Sequence, residues 1–569
     1  MTRTRWALVA VFVCALTLFY FANRTAYKAY FSDDDLDKMG WPTVLSNGDF
    51  VKQIVTPVYS KDLFRPIGYL YYRYMRRIFG LNYTPWVAVL QIGHIINVIL
   101  LFFVLRRFDF SEIAAGMGAL FWMFHGWQIF IYWQPQYIFE VLAAGLCLLS
   151  ILLYIKGRWI LALIPFWLAY KSKEIVVTLP AALLAWEWFV GQRKWKRLIP
   201  YFIISASFGL QALWMNRHTD ASAGYALVFS PAILWHTIVF YASSIFFLHY
   251  AGFALLAVPF FVKDRRVWVG LAFTVLLFLP MLALPSRLDS VYWYIPMIGL
   301  AIAFAYLASR VPRWAMAVFF VLWFPLNYQM MKPKRSEMLA HADEARSYLA
   351  GLQKYAKTVP HLKAVVFQGT PPLMGSWGVT GAIHQAFGLE VETAWYKDPD
   401  VGHAMANVPM AVVGYYPVTR TVRGWLRMID APESYVSFSN EPPGLRLGQG
   451  WYRDESSFPW IAPKADIMLH RPETAKEFEI LAYLPTESLN KDGPAHVAVF
   501  EEATPLGAQT ISESKPTSLR WKLPDGRAGD HHITIVTNPV RHGGSNDDRD
   551  LAITVGAIGY VTPNTPAAQ

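Results

Sequence analysis

The sequence predicts an α-helical polytopic membrane domain of about eleven transmembrane helices, followed by a small α/β module and a β-sandwich on the extracytoplasmic side. Three observations predict it. Apolar runs of roughly 15 to 25 residues, the length a helix needs to cross a bilayer, recur up to Met331. Basic residues flank alternate connections between them. Beyond Met331 no run is long or apolar enough to span, and short alternating runs take over.

The spans fall near 6–24, 86–105, 111–131, 137–155, 158–171, 174–190, 198–215, 233–262, 267–284, 292–309 and 313–331. With the N-terminus in the cytoplasm, Arg3/Arg5, Arg106/Arg107, Lys156/Arg158, "RKWKR" at 193–197, "KDRR" at 263–266 and Arg310/Arg313 all lie on one side, as the positive-inside rule requires. The opposite side receives the long segment 25–85, the tip 132–137, "KSKE" at 171–174, the loop 216–232, "PSRLDS" at 285–290, and everything after Met331. The first apolar run ends near Ala22 without a small-residue cleavage site and reads as an uncleaved span.

Residues 336–356 place Leu339, Ala342, Ala345, Leu349 and Leu352 at helical intervals, predicting a linker helix. "AVVF" at 364–367 and "MAVVGYY" at 410–416 read as buried strands. After Gly444, "ADIMLH", "AHVAVF", "SLRWKL", "HHITIV" and "LAITVGAIGYV" alternate between turn clusters, the mark of an antiparallel sandwich. The domains are therefore 1–331, 332–440 and 441–562, with 563–569 as a tail. Trp451, Tyr452 and Trp460 could stack on sugar rings or fill the sandwich core, and core filling is the favoured use.

Composition agrees with the membrane class and excludes others. Of 569 residues 55% are hydrophobic and 16% charged, and the mean hydropathy is +0.28. The formal charge of +11 is accounted for by topology, so no nucleic-acid partner is expected. The two cysteines, Cys14 and Cys147, lie in apolar runs and form no disulfide framework.

Ionisable groups at membrane depth are costly and mark function by default. Those facing outward are "FSDDDL" at 31–36, Arg65 in "LFRPIGYLYYRYMRRIFGL", Glu140 in the first turn of the fourth span, Lys171, Lys173 and Glu174 in a connection too short to leave the surface, and Arg287 with Asp289 before the tenth span. Gln91, His94 and Asn97 share one face of the second span. All of these could surround one outer cavity. Each has a plainer use: a solvated loop start, interhelical hydrogen bonding, structural ion pairs or a lipid anchor. No Cys/His ligand spacing, phosphate-binding glycine loop or serine elbow occurs in a fitting context; a divalent metal has no ligand motif to support it.

In order along residues 1–331, the aspartates 33–35, "FRPIGYL", the H-x-x-N of His94 and Asn97, the K-E-x-x-x-x-x-P of "KSKEIVVTLPAALL" and the Y-x-P-x-x-G of "RLDSVYWYIPMIGLA" resemble the GT-C superfamily of integral-membrane glycosyltransferases. The likeness is to its protein O-mannosyltransferase-like and bacterial polyprenyl-phosphate-sugar-dependent branches. It implies a GT-C-like catalytic domain in a bacterial inner membrane, a polyprenyl-phosphate-linked sugar donor, and a glycan, lipid or protein acceptor glycosylated on the periplasmic face. By that resemblance Asp34 or Asp35 is the catalytic carboxylate. Glu140 lies slightly inside its span, a departure from the acidic residue that family members often carry in the second outer loop.

The chemistry of such a donor points to the same residues. A departing phosphate needs charge stabilisation, which Arg65, Lys171, Lys173 and Arg287 can supply, and one carboxylate suffices as base for an acceptor hydroxyl. A single displacement inverts the anomeric carbon, whether the sugar is a hexosyl or a pentosyl unit. The rival readings are a transporter or flippase of lipid-linked sugars and a non-catalytic, membrane-anchored glycan-binding protein.

Overall fold

The structure, a computed structural model, describes residues 3–40, 42, 44–58, 65–215, 227–359, 362–395, 410–417, 419–427, 434–438, 447–452, 458–542 and 549–562. They fall into two compact units, Met1–Arg346 and Ser347–Gln569. The predicted tail 563–569, most of the predicted loop 216–232, and 453–457 of the sandwich opening lie outside the described residues.

The first unit is helical. Among the described residues five helices are long and apolar enough to cross a membrane, Val9–Lys28, Tyr83–Arg107, Pro135–Ile155, Arg265–Leu282 and Arg313–Ala356, and shorter apolar helices include Glu112–Met123, Trp159–Tyr170, Ala251–Phe261 and Met297–Arg310. Helix Tyr83–Arg107 shows how such an element is built. Its inner face buries Leu90, His94, Asn97, Leu101 and Val104. Its outer row, Ile92, Ile96, Ile99 and Phe103, stays exposed at spacings of three and four residues. An exposed apolar row of that length suits a hydrocarbon solvent.

Small residues let the helices approach closely. A Cβ on Gly299 would lie 2.2 Å from the Gly270 carbonyl oxygen, and one on Gly145 2.5 Å from Asn97 Oδ1.

Two of the expected spans are interrupted. The run 111–131 forms helix Glu112–Met123, a 3-10 turn Gly126–Gln128 and a short helix Ile129–Trp133. The run 233–262 forms helix Pro231–Ser244, then the turn Ala251–Leu256 behind Tyr250, whose φ is +60°. The interruptions close on each other: His125 Nε2 lies 2.8 Å from the Ile245 carbonyl, Trp127 Nε1 donates to Ser244 O at 2.5 Å, and Trp293 Nε1 donates to Ser244 Oγ at 2.7 Å. The Gly126 amide donates to Asn327 Oδ1 at 2.6 Å. Backbone freed from a helix at membrane depth must find such partners inside the protein.

The second unit contains both predicted strand groups. Ala364–Gln368 is central in a four-stranded sheet, parallel to Glu392–Trp395 on one side and Met410–Tyr416 on the other, with Thr421–Arg427 antiparallel at the edge. The sandwich pairs a sheet ordered Thr504–Ile511, Ala495–Glu501, Gly529–Asn538, Lys464–Arg471 with one ordered Thr517–Lys522, Glu477–Tyr483, Thr554–Val561, Trp460–Ile461, Trp451–Tyr452. Tyr435–Ser437 joins the second sheet by pairing with Thr554–Val561, so strand pairing begins ahead of residue 441. Trp451 packs in the sandwich core against Phe438 at 5.5 Å.

Candidate active site

The chain leaves its first span through a 3-10 turn, Arg24–Lys28, and an extended stretch to Ser32, the N-cap of a short helix Asp33–Lys38. Three aspartates in a first turn suit the positive end of the helix dipole. Their side chains have different fates. Asp33 pairs with His341 at 3.4 Å. Asp34 pairs with Lys38 one turn on, at 2.5 Å, and its side chain keeps 46% exposure.

Asp35 is fully buried. Its Oδ2 accepts from the Ser32 amide at 2.9 Å and the Ser32 hydroxyl at 2.8 Å, and its Oδ1 accepts from the Tyr72 hydroxyl at 2.7 Å. Burial raises its carboxyl to about 6, against the pull of those three donors. Asp35 ties the acidic helix to its neighbour through Tyr72.

That neighbour, Pro66–Phe79, starts with proline at its first position, where the missing N–H costs nothing. Gly68 lies so close to Phe139 that a Cβ would sit 2.1 Å from the ring. The close approach brings the Arg65 guanidinium to 5.5 Å from the Phe139 ring centre, beside Glu140 in sequence. Arg65 forms a two-pronged pair with Glu174, Nε donating to Oε2 at 2.8 Å and Nη2 to Oε1. The Ile67 amide donates to the Lys171 carbonyl at 3.3 Å, fixing this helix to the 171–174 connection.

Lys173 is extended (φ −157°, ψ 132°), and its side chain and that of Glu174 take separate partners. While Glu174 meets Arg65, Lys173 Nζ meets Glu140 Oε1 at 2.6 Å, with both side chains under 10% exposed. Lys173 Nζ also lies 5.7 Å from the Tyr292 ring centre. Glu140 Oε2 is buried with no hydrogen-bond partner among the described residues. Lys171 is buried over Trp167 and Phe208, its Nζ at 5.5 and 5.1 Å from their ring centres. The ammonium thus faces two aromatic rings, while burial lowers its pKa to about 8.

Tyr137 joins the parts. Its hydroxyl lies within electrostatic reach of Asp34, Glu140, Asp289 and Tyr292. Asp289 caps the short helix Ser290–Trp293 by accepting from the Val291 amide at 3.1 Å. Burial raises its carboxyl, and the Glu140 charge adds to the rise. The Arg287 carbonyl accepts from the Tyr241 hydroxyl at 3.2 Å. The structure thus brings Lys173 to Glu140 and Tyr292 and Arg65 to Glu174, the two pairs adjoining through the 173–174 step, with Asp34, Glu140 and Asp289 within electrostatic reach of Tyr137.

His94 is placed elsewhere. It is fully buried, stacked between Phe19 at 5.6 Å and Trp122 at 5.1 Å, with Nδ1 at 2.9 Å from the Tyr294 hydroxyl and Nε2 at 3.3 Å from the Met123 carbonyl. Asn97 donates to Val141 O at 2.8 Å and to the same Tyr294 hydroxyl at 3.2 Å. The H-x-x-N and Y-x-P-x-x-G segments therefore meet in one interhelical knot, which suits packing better than ligand contact.

Sequence reasoning passed over Lys38, Tyr72, Tyr137 and Tyr292. Lys38 carried a usable signal, since it stands four residues after Asp34 on a helix. The tyrosines carried none, because their roles depend on contacts from distant segments.

A groove of about 430 Å³ lies between the end of the first helix, residues 124–132 and the end of Arg313–Met330. Leu18, Phe21, Phe124, Ile129 and Phe324 make it apolar, and Arg335 is in its wall, its guanidinium 3.8 Å from the Tyr328 ring centre. Among the described residues no three His, Cys, Asp or Glu side chains converge as metal ligands.

No protein-family model and no curated protein matches the chain. Solved structures that resemble it include ArnT from Cupriavidus metallidurans in the apo state, with 12% identity and a TM-score of 0.44 over 73% of this chain and 94% of that one, and ArnT from the same organism bound to undecaprenyl phosphate, with 12% identity and a TM-score of 0.49 over 74% and 94%.

Proposed function

We propose that the chain is an inverting glycosyltransferase of GT-C type, moving a sugar from a polyprenyl-phosphate donor to an acceptor hydroxyl at the periplasmic face of a bacterial inner membrane. The observation that carries the proposal is the pair of ion pairs that joins segments far apart in sequence, Lys173 to Glu140 and Arg65 to Glu174, beside the Asp289 and Tyr292 segment. The proposal stands at superfamily level and does not carry the O-mannosyltransferase-like branch.

In this reading Asp34, exposed enough to meet a substrate, takes the proton of the acceptor hydroxyl as its oxygen bonds to the anomeric carbon. The bond from that carbon to the phosphate oxygen breaks, and its electron pair leaves with the phosphate. Attack opposite the leaving group inverts the centre. Lys173 and Arg65 stabilise the departing charge after exchanging one carboxylate contact for the phosphate. Lys38, paired with Asp34 at 2.5 Å, aims it. The apolar groove near Arg335 suits the isoprenoid chain of the donor.

The test is turnover in liposomes loaded with lipid-linked sugars from host membranes, with undecaprenyl phosphate as the product standard. Asp34→Asn lowers transfer by about 10² to 10⁴-fold, the usual worth of a positioned base. Wild-type turnover in that variant removes Asp34 from the mechanism. Movement of the sugar across the bilayer without transfer supports the flippase instead. Mass spectrometry of envelope glycans with and without the protein names the sugar and acceptor.

A further inference from the structure

The acidic helix is held from its own side by Phe31, whose ring meets Tyr83 at 5.1 Å and Trp86 at 5.2 Å, and by the Asp35–Tyr72 bond. A second set of contacts comes from the other end of the same unit, from the helix that follows the last span. There Arg346 Nη2 donates to the carbonyls of Lys28 at 2.8 Å and Ala29 at 2.9 Å. Its guanidinium also covers Tyr30, 5.1 Å from the ring centre, and pairs with Asp343 at 3.3 Å. His341 reaches Asp33 from the same helix.

We propose that Arg346 is a positioning residue for the Asp34 carboxylate, acting through the backbone of Lys28 and Ala29; the inference rests on the assignment of Asp34 above. The two carbonyls close the 3-10 turn Arg24–Lys28, where helical geometry leaves acceptors without partners. A cation at such an end is favourable on charge grounds and supplies the missing donors. Only the extended stretch to Ser32 separates this anchor from the helix bearing Asp34. Removing it frees the turn to rotate about Phe31 and swings the carboxylate away from Tyr137.

Three features make Arg346 testable. Its side chain is 46% exposed, so truncation opens no core. Both bonds come from one nitrogen, so a lysine ammonium at that point can reproduce them in part. And among the described residues it makes no contact with the Asp34 carboxylate that would confuse positioning with catalysis, its described partners being Lys28, Ala29, Tyr30, Tyr83 and Asp343.

The experiment uses the full chain in liposomes with the total polyprenyl-phosphate-sugar fraction extracted from host membranes. Arg346→Ala lowers the rate at saturating donor by about 10²-fold, the cost of a misplacement near 1 Å. The donor concentration for half-maximal rate stays unchanged, amides of residues 29–35 exchange faster, and Arg346→Lys restores part of the rate. Arg346→Ala at the wild-type rate, with Asp34→Asn inactive, overturns the positioning role and leaves the transferase proposal standing. A raised half-saturation with an unchanged maximal rate also overturns it, since that marks a donor contact. Full turnover by both variants overturns the site assignment and the inference with it.

Discussion

Replacing Asp35 by asparagine separates the buried aspartate from the one proposed as base, and its effect follows from burial. In the folded chain the carboxyl is raised from 3.8 to about 6, burial outweighing three hydrogen bonds. A raised carboxyl favours the fold while protonated. Its contribution is complete below about pH 4 and is lost as pH rises through about 6. The gap of about two units corresponds to about 3 kcal/mol. Asparagine stays neutral at every pH, but its Oδ1 can accept only part of what Ser32 and Tyr72 donate, at a cost of about 1 kcal/mol. The variant is therefore less stable than wild type at pH 4.5 and equal or more stable at pH 7.5. Thermal unfolding of the full chain in nanodiscs at several pH values measures the difference, and groups that titrate alike in both proteins cancel. Parallel curves for the two proteins between pH 4 and 7 would refute the reasoning. Transfer activity in Asp35→Asn stays close to wild type, in contrast with Asp34→Asn.

Glu140→Gln leaves Lys173 buried without its counter-charge and lowers stability by about 3 to 5 kcal/mol, read as a fall in unfolding midpoint; pairing it with Lys173→Met recovers part of the loss. His341→Gln removes a pair in which the hydrogen bond to Asp33 raises the imidazole above its usual 6.5. A raised imidazole stabilises the fold below that value and ceases to do so as pH passes the folded pKa. The deficit of the variant in an unfolding series is therefore largest near pH 5 and closes in alkaline buffer. Gly299→Leu forces apart the helices that cross at Gly270, at a cost of more than about 2 kcal/mol, with the protein failing to survive mild detergent extraction as a test.

The two-part architecture was legible because hydropathy and alternation are local properties. "AVVF" and "MAVVGYY" could be placed as strands from their own residues. The outward charges could be named for the same reason, since a lysine beside a glutamate in an apolar context is conspicuous. The interruptions at 124–126 and 245–250 were hidden, because a broken apolar run has the same composition as an intact one. What breaks them is the exchange between His125, Trp127 and residues more than a hundred positions away. The choice among Asp33, Asp34 and Asp35 was hidden too. Neighbours on a helix point about 100° apart, and which of them is buried is decided by Tyr72, 37 residues downstream. For His94 the sequence offered both a ligand and an interhelical hydrogen bond, and the four aromatic rings around it, Phe19, Trp122, Tyr132 and Tyr294, come from segments that no local pattern connects.

Consider finally the consecutive couples at 173 and 174. A bilayer leaflet is crowded with phosphodiester headgroups, and a naked guanidinium at its rim would be clogged by ordinary lipid. Because Arg65 and Lys173 each already hold a carboxylate, an incoming headgroup must evict something before it can bind. Only a ligand whose other end is also gripped, by its sugar or its long chain, makes that exchange favourable. On the proposed reading, selectivity against the surrounding solvent of lipids is set by what the cations are already holding.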